Sequence, residues 1–466
     1  MRFLMEIIQL VEEKILQVSE KVLNVLDGEI EYDTFTKLLK EELDGLGSDI
    51  LKEVLEALDA QIKENRRDRK GWVVERKADP KSILTPFGDM VYNRTYYKNK
   101  ETGEYKYLAD EKAGITSHMR VDSTLKSDIA DAATKVSYEK ATEEVSRFNQ
   151  DLKLSKQTVA NTVKEFELEP LEQPEEKKKV SNLYIEADED HLSMQTSKRS
   201  ETKLIYVHEG IKGKKRRSLK NCQHFTTITE SPDKFWLTVC DYIESHYDTK
   251  DTNIFISGDG AKWIRVGEEY IPNATYILDK FHLSKYIIAA TGHAPKLRRQ
   301  IYKNIKNLDQ EAVFENLQEA LTKADTEARQ KRIMATIKYI KNNWDGIEAS
   351  VNHPEVGCSA EGHVSHILAS RMSSRPMAWS EKGATKMAEM LATKANGKSV
   401  KEAYLSTKGR QEAEIVNLQN QIKQELKKLT TKKKLGKANN GNVPLMNGKY
   451  NLTRTAIKGL NRKQII

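Results

Sequence analysis

At 466 residues the chain is too long for one ordinary domain, and its 38% hydrophobic and 31% charged content describes real cores under a very polar exterior. The formal net charge is +8, and Lys and Arg gather at 66–70, 212–220 and 427–437, which points to a polyanionic partner. Three cysteines (Cys222, Cys240, Cys358) without a CxxC argue against a disulfide framework and fit a reducing cytoplasm, while no apolar run nears the roughly 18 residues of a membrane span and the acid-bearing Met1–Ile8 is no signal peptide.

Residues 1–70 form a helical region, with Leu4, Ile7, Ile8, Val11 and Ile15 at helical spacing. Gly28, Asp33 and Gly45-Leu-Gly47 divide it into about three helices, a small bundle or an oligomerisation arm. Residues 71–115 read as a β-ribbon: a strand over 85–97, a turn at Lys100–Gly103 and a partner strand over 104–108. Its interleaved aromatic and basic residues suit either DNA or a structural hairpin packed on the helices. Residues 116–170 have the form of a helix-turn-helix. A helix over 137–148 breaks at Asn149-Gln-Asp151, and Ser155 caps the next, leaving Lys156, Gln157, Asn161 and Lys164 on an exposed face. A plain helical hairpin would look the same.

The two prolines and charge blocks of 167–180 mark a linker, set at 171–181, and the clearest domain boundary. Over 182–282, β-type runs at 183–188, 203–208 and 224–229, a helix at 235–243, and strands at 254–257 and 275–278 follow the order of an RNase H-like α/β domain. The basic loop Lys214-Lys-Arg-Arg217 lies between its early strands. Residues 283–350 are helical and highly charged; 351–385 carry a further helix; 386–466 read as long helices, a coiled coil toward the end, and a basic tail. The expected fold class is therefore multidomain α+β: a helical and β-ribbon N-terminal DNA-binding region, an α/β catalytic domain, and a helical C-terminus.

Asp188 ends one strand, Asp259 ends another between Gly258 and Gly260, and Glu361 falls in the first turn of a helix with Ser359 as its cap. Three carboxylates without a thiolate cluster suit a hard cation, Mg²⁺ or Mn²⁺. Two such ions about 4 Å apart clamp the attacking and leaving oxygens of a phosphoryl transfer, so no protein nucleophile is needed. Glu186 and Asp190 compete with Asp188 for the first position because they share its strand face. Asp279 rivals Asp259 but lacks the flanking glycines and has His282 as partner, so both are auxiliary. Cys358, His363 and His366 lack a fourth ligand for zinc. Arg371 and Arg375 are candidate DNA phosphate contacts, and Trp263 reads as core packing.

Ile185-Glu-Ala-Asp188, Ser257-Gly-Asp-Gly-Ala-Lys-Trp-Ile264, Leu278-Asp-Lys-Phe-His-Leu-Ser-Lys285 and Ser359-Ala-Glu-Gly-His-Val-Ser-His366 together resemble the ISLre-type insertion-sequence transposases, a DDE family similar to the Mutator-like group. The resemblance covers most of the chain. It implies an RNase H-like core, with Asp188, Asp259 and Glu361 as catalytic, metal-binding acids and residues 283–350 as a helical insertion before the Glu-bearing helix. Asp279-Lys-Phe-His282 matches the motif that follows the second acid in related transposases. The implied activity is binding of element ends, phosphodiester hydrolysis and joining of the freed 3′-hydroxyl to target DNA with two metal ions. The partners would be double-stranded DNA and further copies of the chain, in a prokaryotic cytoplasm. A non-catalytic end-binding protein and a metal-dependent nuclease of the same fold are the alternatives.

Overall fold

The structure is a computed structural model that describes residues 2–147, 152–196, 199–213, 218–374 and 377–406. The described residues all fall in one compact unit. The expected coiled coil and tail, the basic residues Lys214, Lys215, Arg216 and Arg217, and Arg375 lie outside the described residues.

The described chain is mixed α/β, and none of its helices is long and apolar enough to cross a membrane. A five-stranded sheet positions the chemistry. Its strands are β1 (Asn182–Ser193), β2 (Arg199–His208), β3 (Gln223–Thr227), β4 (Asn253–Gly258) and β5 (Ala274–Leu278), in the spatial order β5-β4-β1-β2-β3. β4 and β5 run parallel to β1, whereas β2 opposes β1 and β3 opposes β2. The step from β3 to β4 needs a crossover, and the helix Pro232–His246 supplies it, capped by Ser231.

Alternation along β1 divides its side chains between two cores. Leu183, Ile185 and Ala187 face one core with Ile205, Val207 and Trp236. The Trp236 indole is wholly buried and donates to the Trp263 carbonyl at 2.7 Å. Five helices cover this side: Lys280–Thr291, Pro295–Lys306, Gln310–Thr322, Glu327–Asn342 and Trp344–Asn352. They occupy the stretch expected to be helical after residue 283.

Leu192, Leu204 and Tyr206 face the second core, which they share with residues of Ser123–Lys135, Lys156–Lys164, Glu381–Ala395 and Val400–Ser406. The helix-turn-helix-like region therefore shares a core with the sheet, with Glu381–Ala395 packed against both. The stretch 167–180 does not separate two cores: Leu171 and Val180 pack into the first, and Lys178–Lys179 pairs with Tyr247–Asp248.

Two local expectations are corrected in the N-terminal region. The N-terminal region holds two helices, Arg2–Leu26 and Tyr32–Glu64, with Gly45 and Gly47 inside the second. Gly47 is there for space, since a Cβ would lie 2.5 Å from the Phe87 ring. Thr85-Pro-Phe-Gly88 is a turn, so the partner of Gly88–Asn99 is the upstream strand Trp72–Thr85, and Tyr105–Lys106 adds only a short third strand. Asp59 accepts the Thr95 N–H at 2.8 Å and its hydroxyl at 2.6 Å, fastening the ribbon to the second helix.

Arg371 was expected at DNA phosphates, but it is 3% exposed. Its Nε donates to the Ala133 carbonyl at 2.7 Å, and its guanidinium lies 5.2 Å from the Trp379 ring centroid. It ties the 360–372 helical run to Ser123–Lys135. Arg371→Ala should lower stability by about 2–4 kcal/mol in urea unfolding, because it strands a buried carbonyl and opens a cavity. Loss of DNA affinity at unchanged stability would instead restore the phosphate role.

Candidate active site

Strand register brings the acids together. Glu186 of β1 is opposite Ser257 of β4, which is opposite Ile277 of β5. Two positions further along each strand come Asp188, Asp259 and Asp279. The alignment persists past the last paired residues, for the Asp279 N–H donates to the Gly258 carbonyl at 2.8 Å. Parallel neighbours are about 4.8 Å apart, and equal register puts side chains on one face. Asp259 and Asp279 thus follow the last residues of β4 and β5, whereas Asp188, expected at a strand end, lies mid-strand beside them because β1 runs on to Ser193.

Glycine makes this edge possible. A Cβ on Gly258 would stand 3.0 Å from the Ala187 carbonyl and 2.7 Å from Ile264, prising β4 from β1. Gly260 has φ of 92°, a conformation open to glycine, and abuts Asn343. Asp259 is itself half a turn residue: its Oδ1 accepts the Ala261 N–H at 2.8 Å. Tyr339 donates its hydroxyl to the Asp259 carbonyl at 2.7 Å and stacks on Tyr286 at 3.9 Å, so the helical layer buttresses the loop.

Asp279 is buried and caps Lys280–Thr291, accepting the Phe281 N–H at 3.0 Å through Oδ1. Its Oδ2 meets His282 Nδ1 at 2.7 Å. That bond, aided by the charges of Asp279, Asp259 and Asp188, raises the His282 pKa against the opposing effect of burial. Asp279 is thus committed to its helix and to His282, in keeping with an auxiliary place.

Of the three rivals on β1, Glu186 is fully engaged. It is 4% exposed and accepts from Tyr206 Oη at 2.6 Å, His208 Nε2 at 2.9 Å, Ser359 Oγ at 3.1 Å and the Ser359 N–H. Burial alone would raise its pKa, and these donors hold it below the ordinary value. Asp190 has a buried Oδ2 without a hydrogen-bond partner. Asp188 accepts the following N–H, of Glu189, at 2.8 Å, and burial together with the neighbouring Asp259 pushes its carboxyl up to about 6.

Glu361 is exposed in Ala360–His363, which continues through a π-helical turn, Val364–Ala369, into Ser370–Met372. Ser359 stands at the cap position without capping. Its hydroxyl goes to Glu186 and, at 2.9 Å, to Tyr206. The helix start is latched instead to the strand that carries Asp188. His363 stacks on Tyr206 at 4.3 Å and meets His224 at 3.2 Å, and burial drives the His224 pKa down to about 4. The spacing Leu204, Tyr206, His208 was the sequence signal for this network, since two of three core-facing positions on one strand are polar.

Among the described residues, the metal-capable group whose ligand atoms all lie within 4.8 Å is Glu189, His191 and Glu201, not the three acids expected. Alternation puts it on the face opposite Asp188. Glu189 accepts the Trp263 indole N–H, His191 pairs with Glu201 at 4.0 Å, and Lys203 shares their open cleft of about 430 Å³. Lys156 pairs with Glu139 at 2.7 Å and Gln157 donates to Asn161 at 2.8 Å on the exposed face of their helix, with Lys164 half-buried.

The donor set fits a hard cation: all-oxygen acids, with the Asp188 carboxyl raised to about 6 first by burial and then by the charge of Asp259. Asp188 should then be destabilising when charged. Its folded pKa of about 6 lies above the ordinary aspartate value, so its stabilising contribution is full below that ordinary value and is lost as pH rises through 6. Asp188→Asn should raise unfolding stability at pH 7 by roughly 1–3 kcal/mol without divalent ions, with little change at pH 3. A mutant no more stable than the parent at pH 7 would show that the charged Asp188 carboxylate carries no such penalty.

The comparisons with known proteins agree with one another. A UPF0236 protein of Caldanaerobacter subterraneus subsp. tengcongensis is 37% identical over 436 residues, 92% of this chain and 92% of the relative. Another from that organism, 37% identical over 436 residues and covering 92% of this chain and 91% of its own length, has a name joining eleven locus labels. A UPF0236 protein in the vanSb 3′ region of Streptococcus gallolyticus is 24% identical over 369 residues, 75% of this chain and 80% of the relative. The model of the uncharacterised protein family UPF0236 matches residues 26–409, and the chain belongs to that family.

Proposed function

We propose that the chain is a DNA transposase of the DDE type, built on an RNase H-like core interrupted by a helical insertion at 283–350. The observation that carries the reading is that Asp188 and Asp259 each come two positions after Glu186 and Ser257, which pair on adjacent parallel strands, with the Glu361 helix latched to the first of these strands through Ser359 and Glu186. The strand order β5-β4-β1-β2-β3, with only β2 opposed to its neighbours, supports the core assignment. The eleven labels in one relative's name fit a sequence present in many copies, as a mobile element is.

Asp188, Asp259 and Glu361 would hold Mg²⁺ or Mn²⁺, which supplies Lewis acidity toward a phosphodiester and lowers the pKa of a bound water or sugar hydroxyl. The chain's own groups do the remainder. Asp188 must be deprotonated to act. His282, made more basic by Asp279 and the acids, offers a positive charge beside them for a phosphate oxygen. Tyr339 and Gly260 fix the path of the Asp259 loop, so that carboxylate is positioned before DNA arrives. The exposed Lys156, Gln157 and Asn161 are available to an element end, and the enzyme works on DNA in the bacterial cytoplasm, assembling as more than one copy.

The deciding assay is cleavage and strand transfer on duplexes carrying the ends of the element that encodes the chain, with Mg²⁺, for the parent and Asp259→Ala. Parent activity with loss of at least about 100-fold in the variant is expected. Equal product from both would remove the catalytic assignment. Binding without product from either would favour an end-binding protein, and cleavage without joined product a nuclease. The Mg²⁺ concentration needed for half-maximal activity should also rise as pH drops through about 6, because the cation must displace the Asp188 proton; a Mg²⁺ requirement unchanged between about pH 8 and pH 5 would take Asp188 out of the site.

A further inference from the structure

We propose that the first helix, Arg2–Leu26, is a self-association surface that pairs antiparallel with the same helix of a second copy of the chain, about a twofold axis passing between Ile15 and Leu16. The inference is independent of the catalytic reading above.

One side of this helix is spoken for. It packs on Tyr32–Glu64, with Ile7, Val11, Val18 and Val25 half-buried. Lys14 and Lys21 both reach Glu42 of the second helix, which fixes the rotation of the first about its own axis. The other side then faces outward, and it is apolar. Met5, Ile8, Ile15, Leu16, Val22, Leu23 and Leu26 are between 38% and 75% exposed. At about 100° per residue they share one arc of roughly 120°. Single exposed apolar side chains are ordinary, but an arc of seven along one helix marks an interaction surface.

The pattern identifies the occupant. Reversing the helix about the midpoint between Ile15 and Leu16 brings Met5 opposite Leu26, Ile8 opposite Leu23 and Ile15 opposite Leu16. Six of the seven exposed apolar positions find an exposed apolar partner; Val22 meets Gln9. Glu12, at the centre of the arc, meets Ser19, so no like charges face each other. In a parallel, in-register pair Glu12 would face its own copy. A twofold interface uses the same patch on both subunits and must be self-complementary under reversal, and this arc is. A lipid surface or an unrelated helix would need an apolar arc but not one symmetric about its own centre.

The test uses the full chain. Light scattering after gel filtration should give a dimer for the parent and half that mass for Ile15→Glu/Leu16→Glu, two exposed positions whose replacement leaves the far-ultraviolet circular dichroism unchanged. Under mild oxidation, with the parent and its native cysteines as control, Met5→Cys/Leu26→Cys should form a covalent dimer on non-reducing gels. Met5→Cys alone should form no more than the parent. A monomeric parent, a dimer that survives the glutamate pair, or cross-linking by Met5→Cys alone would each overturn the proposal. So would a monomeric parent that binds vesicles of anionic phospholipid, which would assign the arc to a membrane surface instead.

Discussion

A carboxylate at 4% exposure stays charged only where donors replace its water, and Glu186 collects four. Two come from β2, the Tyr206 hydroxyl and the His208 ring, and two from Ser359 at the start of the Glu361 helix. The strand that bears Asp188 is thereby joined to its antiparallel neighbour and to a segment more than 170 positions away in the chain (359 − 186). The acids are dispersed in sequence, and this one buried group fastens the elements that carry two of them. Such a bond has direction, which apolar contacts lack, so it fixes where the helix begins as well as holding it against the sheet.

Glu186 and Asp188 sit two residues apart on one face of one strand, and their carboxyls shift in opposite directions. The difference lies in the neighbours. Glu186 has donors and stays ionised; Asp188 has one backbone N–H and another acid. A site that concentrates negative charge at a strand edge stores an electrostatic cost that folding elsewhere must offset, and only a ligand of opposite charge relieves it. His282 relieves part of it, since its own basicity is raised by the acids it faces.

Much of the architecture was legible in the sequence. The β-runs of 183–278, the crossover helix and the helical stretch after residue 283 follow from periodicity. Asp259 was legible at its strand end because it stands between glycines that have a physical task, Gly258 for close packing on Ala187 and Gly260 for its positive φ, whereas Asp188 turned out to lie mid-strand. Less legible was what depends on partners far along the chain. Arg371 reads as a surface cation until Ala133 and Trp379 appear beside it. Gly47 reads as a helix break because nothing local foretells the Phe87 ring. Ser359 has the composition of a cap, yet its hydroxyl donates to a buried acid and accepts from none of the helix's own N–H groups. The proline stretch at 167–180 reads as a boundary because composition reports chain stiffness, not which cores the flanking residues join.

The π-helical turn Val364–Ala369 sits directly after the turn that carries Glu361. A π turn amounts to one residue more than an α-helix needs, and such insertions cost hydrogen-bond geometry. Deleting a residue there would regularise the helix, yet it would swing everything on the N-terminal side by about 100° relative to the rest. With Ser359 fastened to Glu186 and Leu368 and Met372 held in the core, that swing has no room to occur. The helix is clamped at both ends with a surplus residue between them, so its irregularity acts as a phase adjuster: it lets the acid-bearing end and the core-filling end keep orientations that a straight helix of the same length could not satisfy together.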